Sequence, residues 1–245
     1  RYSSSGQLRT TSRRTARPKW RVVCGGSSRY IEAMQKSWNV QVRLSSPVRE
    51  VRRDAAGVEI TTDRGSERFD QVVMASHSDE SLTLLGDAAT SAEQRLLGAI
   101  RYQPNQAVLH TDTRLLPRNR RVWSAWNYLA GEGAPDERPV SVSYLMNRLQ
   151  PLPFSRPVVV TLNPFIEPDP ASVIARIEYA HPLFDGPAID AQQRLPEIQG
   201  RDRIWYCGAW TGYGFHEDGL SSAVRVARQL GADVPWQRSE PVLAA

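Results

Sequence analysis

Ile204-Trp205-Tyr206-Cys207-Gly208-Ala209-Trp210-Thr211-Gly212-Tyr213-Gly214-Phe215-His216-Glu217-Asp218-Gly219-Leu220-Ser221-Ser222-Ala223 joins an apolar segment, a glycine-aromatic loop and a run of small residues. Its opening residues are apolar and suit a buried strand. Gly208, Gly212 and Gly214 alternate with aromatic residues, as a tight loop requires. The small residues that follow suit the start of a slim helix. Amides at a helix start have no intrahelical acceptor, and the helix dipole makes that end electropositive. A strand, a glycine loop and a helix N-terminus in this order are how open α/β sheets receive the polar edge of a nucleotide.

Residues 20–77 read as a second part of the same unit. Gly25-Gly26-Ser27-Ser28 opens a predicted helix over 28–37, with Tyr30, Ile31 and Met34 on one face. Val40, Val42 and Leu44 alternate as in a half-buried strand, and Val48 and Val51 follow Pro47 in another. Val58 and Ile60, the turn Asp63-Arg64-Gly65 and Phe69 predict a hairpin. Residues 69–75 end in an apolar run that suits a central parallel strand.

The middle of the chain is different. Ser78 is placed to cap a short helix over 79–85, and Thr90-Ser91-Ala92-Glu93 forms a capping box for the next, over 91–99. Residues 104–112 and 121–129 alternate like neighbouring antiparallel strands, and 140–146 is a strand or a helix start. Six prolines between 151 and 170 confine Val158 to Leu162 to a short strand. A further strand is expected over 174–180 and a helix over 187–199.

Composition narrows the function. The 245 residues are 40% hydrophobic and 23% charged, as in globular proteins. No apolar run approaches the roughly 20 residues of a membrane-spanning helix. The net charge is +5, yet residues 1–21 carry seven basic residues and no acid, so subtracting them leaves −2 for the rest. A near-neutral body argues against a nucleic-acid surface. The basic run reads first as a solvated segment, with a phosphate or membrane-surface contact and a transit peptide as alternatives. Cys24 and Cys207 lack C-x-x-C partners, and two reduced thiols are preferred to one disulfide. His77, His110, His181 and His216 have no metal-ligand spacing, so no metal is expected.

Four stretches carry a family resemblance: Val23 to Tyr30 with Ser46 to Val51; Phe69 to Asp79; Tyr102 to His110 leading into Trp123 to Tyr128; and the 204–223 signature. In this order they resemble the flavin-dependent amine oxidase and phytoene desaturase superfamily over residues 20–232. That family opens with a G-x-G-x-x-G turn, which does not occur here, so the resemblance implies a C-terminal portion. The expected fold is α/β: part of a Rossmann-like FAD-binding domain, its first βαβ missing, with an inserted mixed-sheet α+β substrate domain. The expected division is 1–19 as a basic flexible segment, 20–77 and 200–232 as the FAD unit, 78–199 as the substrate unit and 233–245 as a tail.

The resemblance implies FAD as cofactor and hydride transfer from an amine, polyene or lipid-like substrate to the flavin. It places Val48, Ala75, Ser76, Gly208, Ala209, Trp210, Asp218, Gly219, Leu220 and Ser221 at the cofactor, with Asp218 also read as the helix N-cap. Trp126, Tyr128, Tyr213 and His216 are candidates for lining the substrate, though large aromatics also fill cores and sheet faces. His216 beside Glu217 reads first as a hydrogen-bonding loop residue and second as a general base. No acid–base pair stands out, because the cofactor carries the hard chemistry in such enzymes. The rival reading is a non-catalytic scaffold. A cytoplasmic or membrane-peripheral location is expected.

Overall fold

The structure, a computed structural model, describes residues 21–134, 138–234 and 236. The expectations for 1–19 and most of 233–245 fall outside them. Among the described residues, ten strands form three sheets, with helices set between them. Strands β1 (Val48–Asp54), β2 (Gly57–Thr62) and β3 (Gly65–Phe69) make an antiparallel meander in the order β1-β2-β3. The hairpin read from Asp63-Arg64-Gly65 is there, with Thr62 opposite Gly65.

Strand β4 (Val72–Met74) runs parallel to β10 (Ile204–Tyr206), with Val73 opposite Trp205. Two segments 132 positions apart in sequence (204 − 72) thus lie side by side. The apolar run before Ala75 predicted this parallel strand. Helices α2 (Ser78–Leu85), α3 (Ser91–Gly98) and α5 (Gly186–Arg194) pack on the pair, with Leu85, Leu97, Ala188, Ile204 and Tyr206 in one core. Full burial of a leucine or isoleucine is worth about 1.5–3 kcal/mol, so this core dominates the stability of the region. Helices α2, α3 and α5, which the expected division assigns to the substrate unit, thus share their core with β1, β4 and β10.

The third sheet has five antiparallel strands in the order β6-β7-β8-β5-β9: β5 (Tyr102–His110), β6 (Trp126–Ala130), β7 (Val140–Leu145, followed by the short helix α4, Met146–Leu149), β8 (Val159–Leu162) and β9 (Val173–Pro182). Residues 104–112 and 121–129 are therefore not neighbours, because β7 and β8 lie between them. Alternation reports which face a strand buries, not which strand lies beside it. The buried face carries an internal polar row. His110 Nε2 lies 2.8 Å from Thr161 Oγ1, which lies 2.8 Å from Ser143 Oγ. Burial keeps the His110 imidazole below its usual pKa, and the charge of Asp112 only partly opposes this.

Several local expectations shift. The strand expected at 40–44 does not form, and Val40, Val42 and Leu44 are exposed. An isolated strand leaves its backbone groups unpaired, and no described strand lies beside this one to pair them. Helix α1 (Ser28–Gln35) does form, but Tyr30, Ile31 and Met34 face outward and no residue of it is buried. The cap of α2 is His77 rather than Ser78; its amide donates to Glu80 Oε2 at 3.1 Å. Ser78 is buried, with its amide donating to Tyr102 Oη at 2.9 Å. The Thr90–Glu93 capping box of α3 is present, and Glu93 does more than cap.

Glu93 is 2% exposed and binds three elements at once. It accepts from Arg53 Nη1 at 2.7 Å, from Tyr206 Oη at 2.6 Å and from the Thr90 amide at 2.8 Å. Burial opposes its charge, but the bonds from Arg53, Tyr206 and Thr90 outweigh that and hold the carboxyl at about 2 against an ordinary 4.5. Burial, then the neighbouring carboxylate, push the Tyr206 phenol well above its usual value, so it stays a donor. Since the folded value lies below the unfolded one, this stabilisation is complete above pH 4.5 and is lost as pH falls through about 2. Glu93→Gln leaves the Arg53 guanidinium buried without its countercharge. It should cost about 3–5 kcal/mol in urea unfolding at pH 7. The gap between variant and parent should narrow as the acid limb is approached.

Candidate functional site

The C-terminal ends of β4 and β10 open into a cleft of about 430 Å³. Open α/β sheets bind ligands at this edge, where strand ends deliver loops rather than side-chain layers. Ala75, Ser76 and His77 continue from β4, while Gly208, Ala209 and Trp210 continue from β10. His181 and Pro182, at the end of β9, and Phe184 form the opposite wall. The cleft therefore lies where the parallel pair meets the five-stranded sheet.

The loop after β10 is held by specific bonds. Gly208 has φ +152°, and a Cβ there would lie 2.7 Å from Trp210 Nε1, so only glycine fits without movement. Its amide donates to Ser222 Oγ at 2.9 Å, and that hydroxyl donates onward to the Gly219 carbonyl at 2.7 Å. Gln192, on α5, donates through Nε2 to the carbonyls of Trp210 at 2.8 Å and Gly212 at 2.7 Å. The Trp210 indole is buried and donates to the Ser76 carbonyl at 3.1 Å, joining the two strand ends.

Helix α6 (His216–Gln229) starts beside this loop. Phe215 occupies the N-cap, and Asp218 is the third residue of the helix rather than its cap. From there its Oδ2 accepts from the amides of Tyr213 at 3.1 Å and Phe215 at 2.9 Å, folding the loop back on the helix. A carboxylate at the third position satisfies amides preceding the helix, the logic of a capping box. Gly219 sits against Ala209, where an added Cβ would lie 3.5 Å from the Ala209 amide nitrogen.

The cleft gathers Ala75, Ser76, Gly208, Ala209, Trp210 and Tyr213 from the sequence-read candidates. Asp218, Gly219, Leu220 and Ser221 lie in the first turns of α6 and, contrary to expectation, are not among the residues that line the cleft. His216, the first residue of α6, is exposed and does not line the cleft. Val48 starts β1 and packs on the main core. Trp126 and Tyr128 share a face of β6, as their spacing predicts, but lie outside the cleft. Trp126 instead lines a separate cavity of about 890 Å³ with Tyr144 and Met146.

Four residues of the site escaped the sequence reading. His181 is the penultimate residue of a strand with no motif of its own, and Phe184 follows that strand. Phe184 meets the Tyr213 ring edge-on, with centroids 6.1 Å apart. Gln192 is one of several polar residues on an amphipathic helix. Ser222 was read as a small residue for close packing, not as the tie between loop and helix. The His77 ring stacks on Tyr102 at 4.6 Å, fixing one rim of the cleft.

The profile of the flavin-containing amine oxidoreductase family matches residues 5–163, more than half of the chain. The chain belongs to this family. The match ends before the 204–223 signature. A sequence search of curated proteins finds no match. Among solved structures, the fold is similar to that of a fatty acid isomerase from P. acnes that produces CLA. The TM-score is 0.61 at 13% identity, covering 84% of this chain and 52% of that one. It is also similar to a redesigned putrescine oxidase, with TM-score 0.56 at 12% identity, covering 84% of this chain and 52% of that one. For putrescine oxidase bound to putrescine, the TM-score is 0.54 at 14% identity, covering 86% and 54%. The chain thus spans about half the length of the solved structures it matches.

The loop bonds make a direct prediction. Gly208→Ala forces a methyl against the Trp210 indole at a backbone angle that side chains disfavour, and should cost about 1–3 kcal/mol. Ser222→Ala removes the buried acceptor of the Gly208 amide and should cost about 1–3 kcal/mol. Hydrogen exchange should then accelerate at residues 208–214 more than in β5. Unchanged exchange there would show that the loop is not held by these bonds.

Proposed function

We propose that this chain supplies the C-terminal half of the flavin site in an FAD-dependent oxidoreductase. The observation that carries the reading is the cleft at the ends of the parallel pair, bordered by the start of α6, in a member of a flavin-containing family. Its residues suit a planar heteroaromatic ring. Ala75, Ser76, Gly208, Ala209 and Gly214 leave the wall free of bulk, and His77 and His181 bring polar atoms to the rim.

When bound, the flavin supplies the acceptor for a hydride taken from a substrate C–H. The chain's own residues bind and orient. Gly208 and Ala209 allow close approach, and Gln192 and Ser222 hold the loop in one conformation. Tyr213 and Phe184 form an aromatic wall suited to an apolar substrate portion. Val48 is proposed as a backbone contact for the adenine half. In this reading, Asp218 acts by fixing the loop rather than by touching the cofactor, and Trp126 and Tyr128 have no place at the flavin.

The test is flavin retention. The protein, prepared both as the 245-residue chain and as a polypeptide of the length of its solved relatives, is loaded with FAD and passed through gel filtration. The longer form is expected to keep its flavin absorbance. Ala209→Glu should lower retention at least tenfold, because it buries a carboxylate in the cleft, while the melting temperature stays close to that of the parent. Full retention by Ala209→Glu would reject this cleft as the flavin site. Absence of flavin from both lengths would favour a non-catalytic scaffold.

A further inference from the structure

We propose that the arginine-rich end of the five-stranded sheet is a docking surface for an anionic lipid bilayer. Two segments build it. Residues 112–126 and 144–158 together carry six arginines and a single acid, Asp112, which pairs with Arg114 at 2.6 Å, on a chain whose charge beyond residue 21 is net negative. Glu132, on the β6–β7 connection, follows the opposite end of β6.

The fold brings the two segments together. The Leu145 amide donates to the Ala125 carbonyl at 2.9 Å, and Trp123 packs against the buried cluster of Leu116, Leu145 and Val159. Asn147 Nδ2 donates to the Arg156 carbonyl at 2.9 Å, tying the second segment across its own loop. Arg118, Arg120, Arg121 and Arg148 are exposed. None of the four makes an ion pair with a described residue, whereas Arg49, Arg53, Arg68 and Arg194 elsewhere all meet carboxylates. An exposed cation cluster without countercharges is complementary to a polyanionic surface.

Apolar side chains are interleaved with these cations. Val122 is 56% exposed between Arg121 and Trp123, and Phe154 is 51% exposed two residues before Arg156. The Arg120 guanidinium lies over the Trp123 ring at 5.4 Å. The 890 Å³ cavity opens beside them, between Trp126, Tyr144, Met146 and Leu149. Arg21, the last residue of the basic run at the start of the chain, lines the same cavity. Polyanions such as nucleic acid answer the arginines but give no return for exposed Val122 and Phe154. A bilayer accepts both, with arginines at the phosphates and aromatic and aliphatic side chains at the acyl boundary.

The test is flotation of the full 245-residue chain with vesicles of phosphatidylcholine alone and with about a third phosphatidylglycerol. Binding is expected only to the anionic vesicles, and it should weaken as salt rises. The triple variant Arg118→Glu, Arg120→Glu, Arg121→Glu should lose on the order of a hundredfold in partitioning while keeping the parent's circular dichroism. Arg148→Glu, across the cavity, should lose several-fold by itself, and serves if the triple variant misfolds. Partitioning of the triple variant or Arg148→Glu equal to the parent's would overturn the proposal, because the basic run at 1–21 would then carry the binding. Binding to poly-glutamate or single-stranded DNA without binding to vesicles would overturn it in favour of a soluble polyanion.

Discussion

The buried carboxylate of Glu93 sets the geometry of the part of this protein built on the parallel pair β4 and β10. It joins Arg53 on β1, Thr90 at the start of α3 and Tyr206 on β10, three places widely separated in sequence. Each partner donates, so the charge is met by hydrogen bonds from several directions. Buried ion pairs add little stability beyond a hydrophobic replacement, but losing one partner is expensive. Their value here is positional. With Tyr206 fixed against α3, the end of β10 emerges at one defined point, and the Gly208 loop begins there.

From that point the site is assembled by secondary contacts. Trp210 reaches back to Ser76 and locks the end of β10 to the end of β4. Gln192 and Ser222 hold the loop from α5 and α6 respectively, and Asp218 folds its far side onto α6. None of these four side chains needs to touch a ligand to matter. They give the loop a single conformation, so that small residues rather than bulky ones face the cleft. Among the described residues, no helix is long and apolar enough to cross a membrane.

The two ends of the molecule divide the chemistry. The parallel pair offers a confined, largely uncharged cleft. The far end of the five-stranded sheet offers arginines, exposed aliphatics and a wide cavity. Between them runs the buried polar row of His110, Thr161 and Ser143, which pins three central strands in register by mutual hydrogen bonding. Such a row tolerates little slippage, since a one-residue shift would turn each polar group to the other face.

Much of this was legible in the chain itself. The strand and loop at 204–214, the capping box at Thr90, the Asp63-Arg64-Gly65 hairpin and the parallel run at 72–74 all follow from local propensity and turn chemistry, which depend on near neighbours only. Gly208 was legible because a glycine between a strand and an aromatic loop signals a backbone need. What tertiary structure decided is which elements meet. The neighbours of β5, the exposure of Trp126 and Tyr128, and the absence of a strand at 40–44 depend on partners distant in sequence. So do Gln192, Ser222 and His181, whose roles arise from contacts across the fold rather than from any spacing. Local sequence fixes conformation because backbone sterics and caps act within a few residues. Partner choice is settled by burial and hydrogen-bond satisfaction summed over the whole fold, and no short window contains that sum.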